Sequence, residues 1–342
     1  MDFIQLQLKL VPDIVEIMQQ RYKILHQISL LQPIGRRNLS QNVGLTERVL
    51  RAEVDFLKSQ ALVIVESTGI KLSNEGNKLL HEVYPYINKI FGINLLERQL
   101  QQLLNLPEVY VVPGDSDQDE NVKRDMGKIA AQLLHANVKE NDIITLTGGS
   151  TVAEVAHMVS ETPRLNKVLF VPARGGIGQK HEYLANTIIS KIAKKTGGKY
   201  LLLHVPDLLS DETYKSLINE DQVKETLEVI RNANILIHGI GDAMLMAKRR
   251  MVAEKTIQYL VERKAIGEAF GYYFAKDGEI VYKMNTIGVH LDDLDRIPKI
   301  IALAGGKSKA DAILAVLKHS FRQTLVTDEG AAKEIIKRRT FS

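Results

Sequence analysis

The chain has 342 residues, 45% of them hydrophobic and 25% charged, with a formal net charge of +4. That length favours two domains, and the composition is that of an ordinary globular protein, with too mild a charge to require or exclude nucleic acid. The absence of cysteine removes disulfides, thiolate nucleophiles and thiolate metal sites together. No apolar run approaches the ~20 residues of a membrane span, and the first residues carry no signal-peptide pattern. These features lead to the expectation of a cytoplasmic protein.

Residues 1–90 read as a small helical domain. Asp13 to Leu31 puts Ile14, Ile17, Met18, Tyr22, Leu25 and Ile28 on one face at helical spacing, with Pro12 suited to the start. After Arg36 and Arg37 a short helix is expected to end near Val43. Gly44 can supply the positive φ of a turn, and Thr46 can cap a second helix. Leu39, Val43, Val49 and Leu50 fall where two short crossing helices would bury their contacts, a helix-turn-helix pattern. Leu62–Val65 and Ile70–Leu72 around Glu66-Ser67-Thr68-Gly69 then predict a hairpin, the wing of a winged form. The residues expected to serve DNA are Arg36, Arg37, Thr46, Arg48 and Arg51, with the first two placed just before the first helix. Any one of these arginines could be a solvated helix charge. Together with the wing they favour DNA binding over a protein-docking module.

Residues 74–106 read as connecting helices, with Leu95, Leu96, Leu100, Leu103 and Leu104 in one apolar stripe that packs on the next domain or forms a dimer seam. From about residue 107 to 342, strands alternate with helices: strands Val109–Val112, Ile143–Leu146, Val168–Val171, Tyr200–Val205, Ile235–Ile240, Ile300–Leu303 and Thr324–Thr327, a long helical stretch Ala243–Ile266, and a hairpin of Tyr272–Phe274 with Glu279–Tyr282. Such alternation predicts an α/β domain with a mostly parallel, doubly wound sheet.

Three loops in this half share one design. Ile143–Leu146 runs into Thr147-Gly148-Gly149-Ser150-Thr151 and then a helix, which presents free backbone N–H groups and the positive helix end to an anion. Val168–Gly178 is a second apolar strand ending in a glycine loop, with Arg174, Gly175 and Gly176. A loop-tip arginine offers a planar fork that matches phosphate oxygens in pairs. Ala304-Gly305-Gly306-Lys307-Ser308-Lys309 is the third. In doubly wound sheets such loops gather at the carboxyl ends of the strands, so one shared anionic ligand is expected.

No G-x-x-x-x-G-K-[ST] or G-x-G-x-x-G is present, and none of the nine histidines pairs at metal-ligand spacing. No metal or cofactor is therefore expected. Glu268, Asp292, Asp293 and Asp328 follow strand ends, where an isomerase could keep a base or a binding protein could accept bonds from sugar hydroxyls.

At this point the motifs resemble those of the SorC-type sugar-binding transcriptional regulators over nearly the whole chain. The matching segments are Arg21–Leu25, Pro33–Arg37, Thr46–Arg51, Gly114–Gln118, Phe170–Gly176, Glu268–Phe274 and Val326–Ala332. The resemblance implies a winged helix-turn-helix domain followed by an effector domain shaped like sugar-phosphate isomerases and deaminases. It also implies a repressor of a glycolytic operon whose cooperative DNA binding is weakened by fructose-1,6-bisphosphate. By matching motif, one phosphate would meet Ser150, Thr151 and Arg174, and the other Arg249 or Arg250 and Lys309, with Glu268 on sugar hydroxyls. Members often carry Thr-Thr where this chain has Ser150-Thr151, a change that keeps the hydroxyl. The expected partners are double-stranded operator DNA, a sugar-phosphate effector and copies of the same chain, as a dimer to tetramer, with no membrane. The alternatives are a sugar-phosphate isomerase or deaminase with an attached winged domain and, more weakly, a protein-docking scaffold.

Overall fold

The computed structural model describes residues 10–90, 92–176, 181–319 and 322–340. Ile177, Gly178 and Gln179, at the end of the second glycine loop, lie outside them. The chain divides into two units, Met1–Leu95 and Leu96–Ser342.

The first unit is built on α1 (Pro12–Leu31), α2 (Arg36–Val43) and α3 (Glu47–Ser59), the hairpin β1 (Val63–Glu66) and β2 (Gly69–Leu72), and α4 (Asn74–Ile90). Ile24, Ile28, Leu39, Leu50, Leu57 and Ile70 are fully buried together. Ile34 exchanges backbone hydrogen bonds with Ile70, an isolated antiparallel bridge beside the two-stranded wing. Gly44 takes φ +70° and ends α2, as the turn requires. Thr46 caps α3 by accepting a hydrogen bond from the Val49 N–H. Three expectations need correction. Ile14 and Ile17 are exposed, so the buried stripe of α1 is confined to its later turns, where the other helices pack against it. Val49 also faces solvent. Arg36 and Arg37 are the first two residues of α2, not residues before it.

The next helix, α5 (Ile93–Leu104), spans the boundary between the units; it buries Leu100 and Leu104 but leaves Leu95 exposed. The chain then runs β3 (Glu108–Val112), α6 (Asn121–Asn137), β4 (Ile143–Leu146), α7 (Ser150–Met158), β5 (Leu169–Pro172), α8 (Ala185–Thr196) and β6 (Lys199–Tyr200). It continues through α9 (Asp211–Leu217), α10 (Asp221–Arg231), β7 (Ile235–Gly239), β8 (Gly241–Asp242), α11 (Ala243–Arg249), α12 (Glu254–Glu262), β9 (Gly267–Ala269), β10 (Tyr272–Phe274) and β11 (Ile280–Lys283). The last elements are β12 (Lys299–Leu303), α13 (Ala310–Leu317), β13 (Gln323–Asp328) and α14 (Glu329–Thr340).

Among the described residues the main sheet is parallel and ordered β3-β13-β12-β7-β4-β5-β6. The chain crosses from β3 to β4, winds outward to β6, then returns to β7 and winds the other way. The order therefore reverses between β4 and β7, where Ile144 lies beside Ile235 and Leu146 beside Ile237. Loops leaving the two strands part at that point and open a crevice. A second, antiparallel sheet, β11-β10-β9-β8, carries the expected hairpin.

Two segments differ from expectation. The apolar run Tyr200–Val205 leaves the sheet after Tyr200. Leu203 and Val205 bury themselves without strand pairing, and Leu203 exchanges hydrogen bonds with the Asn186 side chain. The stretch Ala243–Ile266 is two helices, because Met251 takes φ +52° and breaks the periodicity.

Candidate effector cleft and DNA-reading helix

A cleft of about 460 Å³ opens at the carboxyl ends of β4, β5, β7 and β12. Every residue of the expected effector set lines it: Gly148, Gly149, Ser150, Thr151, Arg174, Gly175, Gly176, Arg249, Arg250, Glu268 and Lys309.

One wall is the start of α7. Gly149 has φ +136°, which a side chain would strain, and this bend lets Ser150 and Thr151 open the helix directly over the cleft. Gly148 packs so closely that an added Cβ would lie 2.6 Å from the Tyr183 carbonyl oxygen. The helix therefore presents its positive end and two hydroxyls to the cavity.

The lining also holds a four-member ion-pair network. Arg174 is buried rather than a solvated loop tip, because its backbone is clamped: the Gly175 N–H donates to the Ile287 carbonyl (3.0 Å), and the Val289 N–H donates to the Ala173 carbonyl (2.7 Å). Its guanidinium pairs with Asp207 and with Glu268 (3.4 Å). Arg250, turned inward by the break after α11, donates from Nε to Asp207 (2.7 Å) and meets Glu268 through Nη1 (3.0 Å). Burial works against the Arg250 charge, but Glu268 and Asp207 outweigh it, and the pKa is raised. Glu268 is fixed on β9 and also accepts from the Gly271 N–H (2.8 Å). Between β9 and β10 Phe270 takes φ +55°, an uncommon state for an aromatic residue, and lines the cleft with its ring tilted against His238. Burial lowers the pKa of His238.

Lys309 and Arg249 are the other cations of the lining, and neither forms an ion pair among the described residues. The pKa of Lys309 is lowered, first by burial and then by repulsion from Lys123 and Arg249, with Asp117 and Asp328 opposing. The groupings thus differ from those implied by resemblance. Arg174 shares its partners with Arg250, and Lys309 is coupled to Arg249.

The third glycine loop contributes differently from expectation. Its amides already hold the protein's own carboxylates: Gly306 N–H donates to Asp328 (2.6 Å), Lys307 N–H to Asp115 (3.3 Å) and Ser308 N–H to Asp117 (2.7 Å). Only the Lys309 side chain serves the cleft. Asp328 also accepts from Ser116 and Ala331, and burial raises its pKa against those bonds. Asp293 caps the turn at Leu291–Arg296 through His290. Among the described residues no cluster of histidines and carboxylates could hold a metal ion.

The sequence reading missed Asp207 and Phe270. Phe270 had a signal in the Glu268-Ala269-Phe270-Gly271 turn, whereas Asp207 sits in an irregular segment without one.

In the first unit, Arg48 and Arg51 lie on the exposed face of α3, one turn apart, and make no ion pair among the described residues. Glu47 holds neither. Arg36 reaches Asp55 at 4.0 Å, an exposed contact worth little. Arg37 is exposed, and Thr46 is engaged as the cap of α3.

The family model described as "Putative sugar-binding domain" matches residues 88–337, and the model described as "CggR N-terminal DNA binding domain" matches residues 17–87. The central glycolytic genes regulator of Priestia megaterium is 47% identical over 98% of both chains, and that of Bacillus subtilis is 46% identical over 98% of both. The chain belongs to the SorC-type central glycolytic genes regulators. It is accordingly a transcriptional regulator with a DNA-binding domain followed by a sugar-binding domain. A solved SorC family regulator from Enterococcus faecalis superimposes on 71% of this chain and 99% of its own, with TM-score 0.66 and 40% identity. The full-length sorbitol operon regulator of Klebsiella pneumoniae covers 95% of this chain and 99% of its own at TM-score 0.64 and 17% identity, a likeness of fold alone. No helix among the described residues is long and apolar enough to cross a membrane.

Proposed function

We propose that this SorC-type regulator represses a glycolytic operon in the cytoplasm, and that a sugar bisphosphate, fructose-1,6-bisphosphate above all, relieves the repression by binding in the cleft. The observation that carries the reading is the cationic lining, in which Arg174 and Arg250 share two carboxylates while Arg249 and Lys309 form no ion pair among the described residues. One phosphate sits at the start of α7, against Ser150, Thr151, Lys309 and Arg249. The other faces Arg174 and Arg250, and Glu268 and the ring of Phe270 meet the sugar between them. Binding shifts an equilibrium between DNA-competent and relaxed forms, so its free energy appears as coupling rather than turnover. The protein acts as a homo-oligomer, dimer to tetramer, since linking two reading heads raises operator affinity without any new contact.

Catalysis has weak support at this site. Glu268 stands where an isomerase base would, with Oε1 taken by two guanidinium groups and a backbone N–H and Oε2 in none of these contacts. What speaks against turnover is the DNA-binding domain matched at residues 17–87, for which a metabolic enzyme has no evident need.

A panel of glycolytic intermediates tested by thermal shift checks the effector assignment. Fructose-1,6-bisphosphate is expected to give the largest rise in melting temperature and to be recovered unchanged. Equal rises with neutral sugars, or conversion of the bisphosphate, would refute it.

A further inference from the structure

The cleft lining carries four cations, Arg174, Arg249, Arg250 and Lys309, and two carboxylates, Asp207 and Glu268. Both carboxylates are spent on the same two arginines. The uncompensated charge is then that of Arg249 and Lys309, which suits one phosphate. A second phosphate can reach Arg174 and Arg250 only by taking over bonds that a carboxylate now makes.

The two carboxylates are not equally held. Glu268 belongs to β9, paired with β10 on one side and β8 on the other, and its side chain is tied to the Gly271 N–H. Asp207 belongs to the irregular segment between β6 and α9, which follows the departure of the chain from the sheet. Near Asp207 that segment is fixed by single bonds, such as Leu209 N–H to the Asn285 carbonyl at 3.2 Å. Asp207 also spans the arginines with one oxygen on each, Oδ1 on Arg174 and Oδ2 on Arg250. Two oxygens bridging two guanidinium groups reproduce the contact a phosphate would make.

We propose that Asp207 is a resident anion, holding the Arg174–Arg250 pair in place of a phosphate until an incoming phosphate group displaces it. It keeps the buried arginines neutralised in the empty cleft and sets the effector concentration needed for entry. The segment carrying it must move when the ligand arrives. The inference rests on the effector reading above and names the residue that opposes it.

The test is calorimetric titration of fructose-1,6-bisphosphate and of inorganic phosphate into the full-length wild type, Asp207→Asn and Asp207→Ala. Removing the competitor is expected to tighten bisphosphate binding roughly tenfold or more, since one charge-assisted contact need no longer be broken. Unchanged or weaker binding in both variants would overturn the proposal and make Asp207 a ligand contact or a brace for the arginines. Hydrogen exchange on the wild type supplies a second reading that needs no variant. Amides of Leu203–Leu209 are expected to exchange faster with bisphosphate bound, while those of Ser150–Ala153 slow. Slowing in both segments would contradict displacement. If the wild type binds neither phosphate compound, the effector reading itself fails, and this proposal with it.

Discussion

Arg48 and Arg51 on the reading helix stand in solvent without carboxylate partners among the described residues, whereas in the cleft Arg174 is buried, Arg250 is largely shielded, and the two share two carboxylates. An exposed arginine loses little solvation and acts almost alone, so its contribution to binding adds to that of its neighbours and falls with salt. A buried arginine would be costly alone and is tolerable only inside its network. Removing one member of the cleft therefore disturbs all four, while removing one member of the reading helix disturbs only DNA. The same residue type serves opposite regimes, and the difference is set by burial.

The sharpest way to break this contrast is to truncate one arginine from each set. Arg174→Ala strands Asp207 and Glu268 against a single remaining guanidinium, and should cost about 3–5 kcal/mol of stability in urea unfolding. Response to effector should be lost as well. A loss below about 1 kcal/mol would mean that the network is loosely held and the contrast false. Next in size is the effector itself: at ~100 times its Kd, fructose-1,6-bisphosphate should stabilise the wild type by about 2.7 kcal/mol. No stabilisation would remove the cleft from consideration as its site.

On the reading helix, Arg48→Ala or Arg51→Ala should lower operator affinity by about 1–3 kcal/mol if either reads a guanine edge. Melting temperature should hardly move. Anisotropy on operator and scrambled DNA separates the two effects, and intact operator binding in both variants would leave the winged domain a protein-docking module.

A smaller effect is expected at Arg37. It sits in the first turn of α2, where the helix dipole disfavours a cation and no acidic residue offsets it. Arg37→Ala should therefore raise stability slightly, by about 0.3–1 kcal/mol at low salt, while lowering the salt slope of DNA binding by roughly 0.9 for the lost phosphate contact. An unchanged slope would take Arg37 out of the DNA interface.

The smallest effect is the pH dependence of effector binding. Lys309 has a lowered pKa, and a phosphate beside it favours its charged form, so binding takes up protons. Effector affinity should fall as pH rises through that lowered value, below the usual lysine range. Lys309→Met should flatten the profile, and an unaltered profile would place the phosphate elsewhere.

Chemistry carried by contiguous residues was legible in the sequence. Thr147–Thr151 names its own helix start, Gly44-Leu45-Thr46 its turn and cap, and the alternation of strands and helices the parallel sheet. Contacts made across the fold were not. Nothing in Gly305-Gly306-Lys307-Ser308 reveals that Asp115, Asp117 and Asp328 would fill its amides. Nor does Val205-Pro206-Asp207 announce a partner for Arg174, because the pairing depends on where an irregular segment lands. The helix break was hidden for a related reason. Apolar periodicity runs on from α11 toward α12, and nothing in the local sequence marks the positive φ that Met251 takes between them.

The coupling between the two domains is tested most directly by titrating fructose-1,6-bisphosphate into the wild-type complex with fluorescent operator DNA at one fixed salt concentration. Operator affinity should fall by about 1–3 kcal/mol as the cleft fills, with the sugar bisphosphate chemically intact at the end. Operator binding that is indifferent to a cleft shown by calorimetry to be saturated would contradict it.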